Sequence, residues 1–150
     1  MVHSTWYVVH STWYLVHGTW YMVHRIVREG GDVDKIRSFK QLRIWNKGIE
    51  IVEDVYRLTR GFPREEQYGL ISQMRRAAVS IPSNIAEGFK RFHAKEYRQF
   101  LHITLGSAAE LETETIIARK LGFLDETQLN ILADKIDQLS KMTSALLKKL

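Results

Sequence analysis

Six cations placed around one proline-bearing segment are the residues of this chain whose types and spacing invite chemistry. Arg75 and Arg76 stand upstream of the run SIPSNIAEGFKR, and Lys90, Arg91, Lys95 and Arg98 lie at its end and beyond it. Phosphate oxygens are natural partners for such a cluster, because ammonium and guanidinium groups neutralise a nucleic-acid backbone without reading its sequence. Phe89, Phe92 and Tyr97 interleave with these cations and offer flat faces for unpaired bases. In a helical protein the same rings also serve as core or interface anchors. Glu87 sits between Asn84 and the basic cluster, so a structural reading stands beside the functional one: Glu87 pairs with a nearby arginine, Arg76 among them.

Other chemistry is sparse. Glu110, Glu112 and Glu114 alternate along one segment, which puts Glu110 and Glu114 on one helix face and turns Glu112 away. Carboxylates four apart can hold metal in a di-iron bundle, but that site needs a Glu-x-x-His partner, which this sequence lacks. Ion pairing or a solvated face is the ordinary role for them. His93 and His102 are too far apart to share a helix turn as a metal pair. HExxH, a Gly-rich phosphate loop and GxSxG are all absent, and so is cysteine, which removes disulfides, thiolate metal sites and a thiol nucleophile. The expectation is a protein without catalytic residues, metal or cofactor, and not an enzyme.

The elements that position these residues follow from periodicity. Pro82 stands among helix formers, where a proline removes a hydrogen bond and costs roughly 3 kcal/mol, so a kink is expected there. Ser80, Ser83 and Asn84 are placed to bond the freed backbone groups. With Glu87 and Glu110, the residues Ser80, Pro82 and Asn84 form a candidate structural network. Leu42, Trp45, Ile49, Val52 and Tyr56 mark one stripe of a first helix. Gly61-Phe62-Pro63 ends it, and Pro63 suits the first turn of the next. That second helix carries Leu70, Ile71, Met74, Ala78, Ile81 and Ile85 and gives way near Gly88. A third runs from about Ala94 to Leu121, with Tyr97, Leu101, Thr104, Ala108, Leu111 and Ala118 on its main face. Phe100, Ile103, Leu105, Ile116 and Ile117 widen its apolar surface, which suggests contact with partner subunits. The small residues Gly106, Ser107, Ala108 and Ala109 would let a neighbouring helix come close. Asp125 with Gln128 forms a capping box, opening a fourth helix striped by Leu129, Leu132, Ile136, Leu139, Thr143, Leu146 and Leu150. Short links between four such helices predict an all-α, antiparallel up-and-down four-helix bundle over residues 33–150, its second helix kinked at Pro82.

Residues 1–32 are a separate, repetitive low-complexity segment. VHSTWYV, VHSTWYL and VHGTWYM follow one another with a period of seven. An odd period turns successive tryptophans (Trp6, Trp13, Trp20) to opposite faces of a single strand, and the composition is poor for a helix, so neither regular structure uses it well. A mobile or loosely β-structured segment is expected, its exposed aromatics an aggregation hazard. The histidines His3, His10, His17 and His24 are read as by-products of the repeat. One account is a tandem DNA repeat read through by translation. Glu29-Gly30-Gly31-Asp32 can be encoded as GAG-GGA-GGT-GAT, which contains a bacterial ribosome-binding sequence, and Val33 as GTG would then be the start. Over all 150 residues the net charge is +5 and the sequence pI about 9.5, a balance compatible with nucleic acid. No apolar run approaches the roughly 20 residues that span a bilayer, and a cytoplasmic location is expected.

SIPSNIAEGFKR followed by EYRQFLHITLGSAAELETETIIARKLGFL resembles the bundle proteins encoded within intervening sequences of bacterial 23S ribosomal RNA genes. It is similar as well to the accessory variability determinant of diversity-generating retroelements. The resemblance rests on Arg75 to Ala77, Ser80, Pro82, Asn84 to Gly88, Arg91, Phe100, Leu101, Gly106, Ser107, Glu110, Glu112 and Leu121 to Leu124, and it covers Phe39 to Leu150. It implies an antiparallel four-helix bundle assembled as a homopentamer, without established enzymatic activity. In the retroelement relatives a basic pentamer associates with nucleic acid and a reverse transcriptase. Non-specific RNA or DNA binding through Arg75, Arg76, Lys90, Arg91, Lys95 and Arg98 is therefore the leading expectation. A structural or protein-interaction scaffold is the alternative.

Overall fold

Four helices bring their apolar rows together between Ile36 and Leu150: α1 (Arg43–Leu58), α2 (Leu70–Lys90), α3 (Ala94–Lys120) and α4 (Glu126–Leu147). The computed structural model describes residues 6–16, 19–28, 36–91 and 93–150. Helices adjacent in sequence are adjacent in space, and α4 returns to α1, so the order is the expected up-and-down ring. Ile51, Val55, Met74, Ala78, Ile81, Ile85, Leu101, Leu111, Ala118, Leu132 and Leu139 are sealed from solvent at its centre. The rows read from α2, α3 and α4 are the rows that pack.

On α1 the buried row is shifted one face from the expected one. Ile44, Gly48, Ile51, Asp54 and Val55 face inward, whereas Trp45, Ile49 and Val52 are half-buried and Tyr56 is exposed. Two residues disguise the true row. Gly48 carries no side chain because a Cβ there would stand 3.2 Å from Ile81 Cγ2 and 3.3 Å from Pro82 Cβ. Asp54 is buried as an ion: its carboxylate meets Arg57 on its own helix and Lys135 of α4 at 2.5 Å.

Pro82 lies buried inside a helix that continues through it. Its neighbours bond carbonyls beside the one that Pro82 frees, that of Ala78. Ser83 Oγ donates to the Val79 carbonyl at 2.8 Å, and Asn84 Nδ2 donates to the Ser80 carbonyl at 2.8 Å. Pro63 opens a separate 3₁₀ turn (Arg64–Tyr68) instead of α2 itself, and Glu66 then caps α2 by accepting from the Leu70 amide at 2.9 Å. Gly122, at φ 79°, ends α3. The Phe123 amide reaches the Ala118 carbonyl and the Gly122 amide that of Arg119, the paired bonds of a Schellman ending. The capping box at the start of α4 forms as expected, with Gln128 N–H on Asp125 Oδ1 at 2.8 Å and the reverse bond at 2.9 Å.

Ahead of the bundle the repeat forms a β-hairpin, β1 (Trp6–Val16) paired antiparallel with β2 (Thr19–Arg28). Of the two expected states, mobile or β-structured, the hairpin is the second, reached although the odd period suits a single strand badly. The register matches Leu15 with Trp20 and Trp13 with Met22, then slips by one between Val8 and His10, so that Trp6 matches Arg28. Paired positions share a face, and the one-residue bulge reverses the alternation. Positions 6, 13 and 20 therefore fall on one face of the ribbon, despite the odd period. His3, His17, Phe92 and the segment from Glu29 to Val33 lie outside the described residues.

Candidate nucleic-acid interface

The six candidate cations do not form one patch. Arg76 and Lys90 are fourteen helical steps apart on α2, which is about 21 Å. Arg75 and Arg76 belong to a cleft in the N-terminal half of α2; the other four gather where α2 hands over to α3.

Several of these side chains already have work inside the molecule. Arg75 donates from Nε to Thr59 Oγ1 at 2.9 Å and stacks on Tyr56, 4.7 Å from the ring centroid. Arg91 pairs with Glu87 at 2.5 Å, as the structural reading of Glu87 required, and lies over the Phe100 ring at 5.1 Å. Arg98 donates from Nη1 to the Leu147 carbonyl at 2.7 Å, tying α3 to the last turn of α4. Arg76, Lys90 and Lys95 are exposed and have no carboxylate partner among the described residues.

The proline segment is a joint between α2 and α3. Ser80 Oγ meets Ser107 Oγ across the helices at 2.8 Å and accepts from Asn84 Nδ2 at 2.9 Å. At Gly88 a Cβ would stand 2.7 Å from Phe100 Cβ and 2.8 Å from Tyr97 Cδ2, so only glycine lets the backbones come this close. Phe89 stands edge-on to Tyr97, with 6.4 Å between centroids. Tyr97 is buried, and that burial pushes its phenol above the ordinary range. These two rings are core anchors and not stacking platforms. Glu110 is exposed and lines the cleft instead of joining the serine–asparagine bonds. Glu114, on the face read as solvated, is buried, and its Oε2 has no hydrogen-bond partner among the described residues. Burial, with the charge of Glu110 one turn away, pushes its carboxyl up to about 7. No group of residues among those described could hold a metal ion.

The antiparallel packing adds cations that sequence order conceals. Gly48 of α1 packs on Pro82, so the α1 N-terminus, with Lys40 and Arg43, lies at the same end as the α2 C-terminus. The Arg98–Leu147 bond brings the tail of α4, with Lys148 and Lys149, to that end too. One end of the bundle thus collects Lys40, Arg43, Lys90, Arg91, Lys95, Arg98, Lys148 and Lys149, all exposed. Glu87 and Glu96 are its nearby acids. At the opposite end Arg57, Arg60, Arg64, Arg119 and Lys120 alternate with Glu53, Asp54, Glu65, Glu66, Asp125 and Glu126.

The model of the 23S rRNA-intervening sequence protein family matches residues 40–145. The chain belongs to that family. Its family segment takes in both the cleft and most of the basic end, and it leaves the hairpin outside. A solved structure from the S23 ribosomal protein family, of unknown function and from Bacteroides thetaiotaomicron VPI-5482, superposes with a TM-score of 0.66. Identity is 19%, over 70% of this chain and 95% of that one, a likeness of fold. No curated protein sequence matches the chain. No helix among the described residues of this family member is long and apolar enough to cross a membrane.

Proposed function

We propose that this protein is a non-enzymatic, oligomeric accessory protein of the cytoplasm that binds RNA or DNA through the phosphate backbone without reading sequence. The observation that supports this is the one-sided charge: eight exposed cations from four helix termini against two nearby acids at one end of the bundle, with mixed charge at the other. Lysines and arginines so placed neutralise several phosphates at once and release their counterions. Lys90 and Lys95, exposed and without a carboxylate partner among the described residues, are the first contacts; Arg91 and Arg98 are anchored and present a fixed edge. Fluorescence anisotropy of labelled single-stranded RNA, single-stranded DNA and duplex DNA across a salt series tests it. Affinity should fall steeply with salt, and Lys90→Glu with Lys95→Glu should flatten the log–log slope by about two units. Absence of binding to all three at low ionic strength would reject the reading.

A protein-interaction scaffold is the second reading, supported by the apolar row on α3, where Ile103 and Ile117 are each more than 40% exposed and Leu121 is 56% exposed. Self-association through that row fits either reading, and the family resemblance suggests a homopentamer. A reverse transcriptase partner rests on the retroelement resemblance alone, and a neighbouring gene for one would support it.

A further inference from the structure

The cleft holding Arg75 and Arg76 has a volume of about 620 Å³, within the roughly 300–1,000 Å³ of small-ligand sites. Gln67, Tyr56 of α1, Ser72, Arg75 and Arg76 of α2 and Glu110 of α3 are among the residues that line it. We infer that this cleft binds the phosphomonoester of a nucleotide, either a free mononucleotide or the phosphorylated end of a nucleic-acid strand. The inference goes beyond backbone binding at the basic end and uses different residues.

Three features support it. First, Arg75 is fixed in advance. Its Nε is taken by Thr59 and its plane lies on Tyr56, so both Nη groups are left for a ligand and little side-chain freedom remains to be lost on binding. Second, neither arginine is neutralised by a carboxylate among the described residues. Two guanidiniums lining one cleft suit a doubly charged monoester, which has oxygens enough to accept from both; an internal phosphodiester has one charge and two bridging oxygens. Third, the lining is not uniformly basic. Glu110 opposes a run of phosphates but accepts from hydroxyl or amino groups, and Gln67 both donates and accepts. That mixture fits a single nucleotide with its phosphate on the arginines and its sugar or base toward Glu110.

Calorimetric titration of the full-length chain with adenosine 5′-monophosphate, adenosine and inorganic phosphate tests this. A short oligonucleotide with and without a 5′-phosphate then separates the two sources. The monophosphate should bind and adenosine should not. Arg76→Gln should weaken the monophosphate roughly 10- to 100-fold, while Lys90→Glu with Lys95→Glu leaves it unchanged. Arg76 is exposed and makes no hydrogen bond or ion pair among the described residues, so its variant folds even where Arg75→Gln does not. A gain from the 5′-phosphate that Arg76→Gln abolishes assigns the cleft to strand ends; monophosphate binding without that gain assigns it to free nucleotides. Equal binding of adenosine and its monophosphate, or inorganic phosphate binding as tightly as the monophosphate, would overturn the inference. So would a monophosphate site lost with Lys90 and Lys95, or an Arg76→Gln effect that is a change of oligomeric state. Salt-sensitive oligonucleotide binding indifferent to the 5′-phosphate, with no monophosphate binding, would overturn the cleft and leave the backbone reading standing.

Discussion

The buried carboxyl of Glu114 shows how one residue ties sequence to stability. Its folded form holds its proton up to about pH 7, against an ordinary 4.5. Between those values the unfolded chain is ionised and the folded chain is not, so the unfolded state binds fewer protons and stability falls as pH rises. Above about 7 the loss is complete. Glu114→Gln keeps the shape and removes the titration. It should leave stability nearly unchanged near about pH 4 and raise it by roughly 1–3 kcal/mol near about pH 8, read as a shift in urea midpoint at constant slope. An equal effect at both pH values would contradict the assignment. This residue was illegible in the sequence because its spacing from Glu110 is that of a solvated pair. Asp54 and Gly48 hid the α1 core row for the same reason: a buried ion pair and a close backbone approach both look polar or neutral in a periodicity pattern.

At the scale of elements, glycines distinguish helix contact from open surface. Gly88→Ala gains about 1 kcal/mol of helix propensity, but its methyl would lie inside van der Waals contact with two atoms of α3, at 2.7 and 2.8 Å. Those belong to Phe100 Cβ and the buried Tyr97 ring, and neither can move without shifting α3. Overpacking of this kind costs roughly 1–3 kcal/mol, so the variant should be less stable. Gly106→Ala meets nothing within 4 Å and should stabilise the monomer by about 0.5–1 kcal/mol. Thermal melts of the two variants should move in opposite directions. Helix existence and the α3 and α4 rows were legible because an apolar stripe and a capping box are local signals. The proline segment was legible in part. Side-chain bonds by Ser83 and Asn84 and the pairing of Glu87 with an arginine follow from local spacing, whereas the Ser80–Ser107 bond and the close approach at Gly88 do not. Ser80 and Gly88 act through partners on α3, and such partners appear only once the helices are packed. The hairpin eluded the pattern because pairing and a bulge, and not the single-strand period, decide which positions share a face.

For the molecule as a whole, the charge asymmetry and the apolar row of α3 point outward in different ways. Lys40, Arg43, Lys148 and Lys149 join the basic end only because the bundle is antiparallel, so local clustering supplies half of that surface and topology the rest. The apolar row is the complementary case. Ile103 and Ile117 are separated by two heptads on α3, with Leu121 one turn further on, and each keeps a large part of its side chain in water. Glu110 interrupts the row midway, so a partner that covers the isoleucines must also meet a carboxylate. A second copy of this chain satisfies both demands, since it supplies apolar rows and an excess of cations. Sedimentation velocity should therefore show a concentration-dependent oligomer. Ile103→Lys with Ile117→Lys should dissociate it while leaving the helical circular dichroism unchanged, because neither side chain is in the core. If the oligomer also gathers several basic ends, dissociation should lower nucleic-acid affinity at least tenfold without touching any cation, through lost multivalency. A wild-type chain that sediments as a monomer at all concentrations would leave the row without a partner of its own kind.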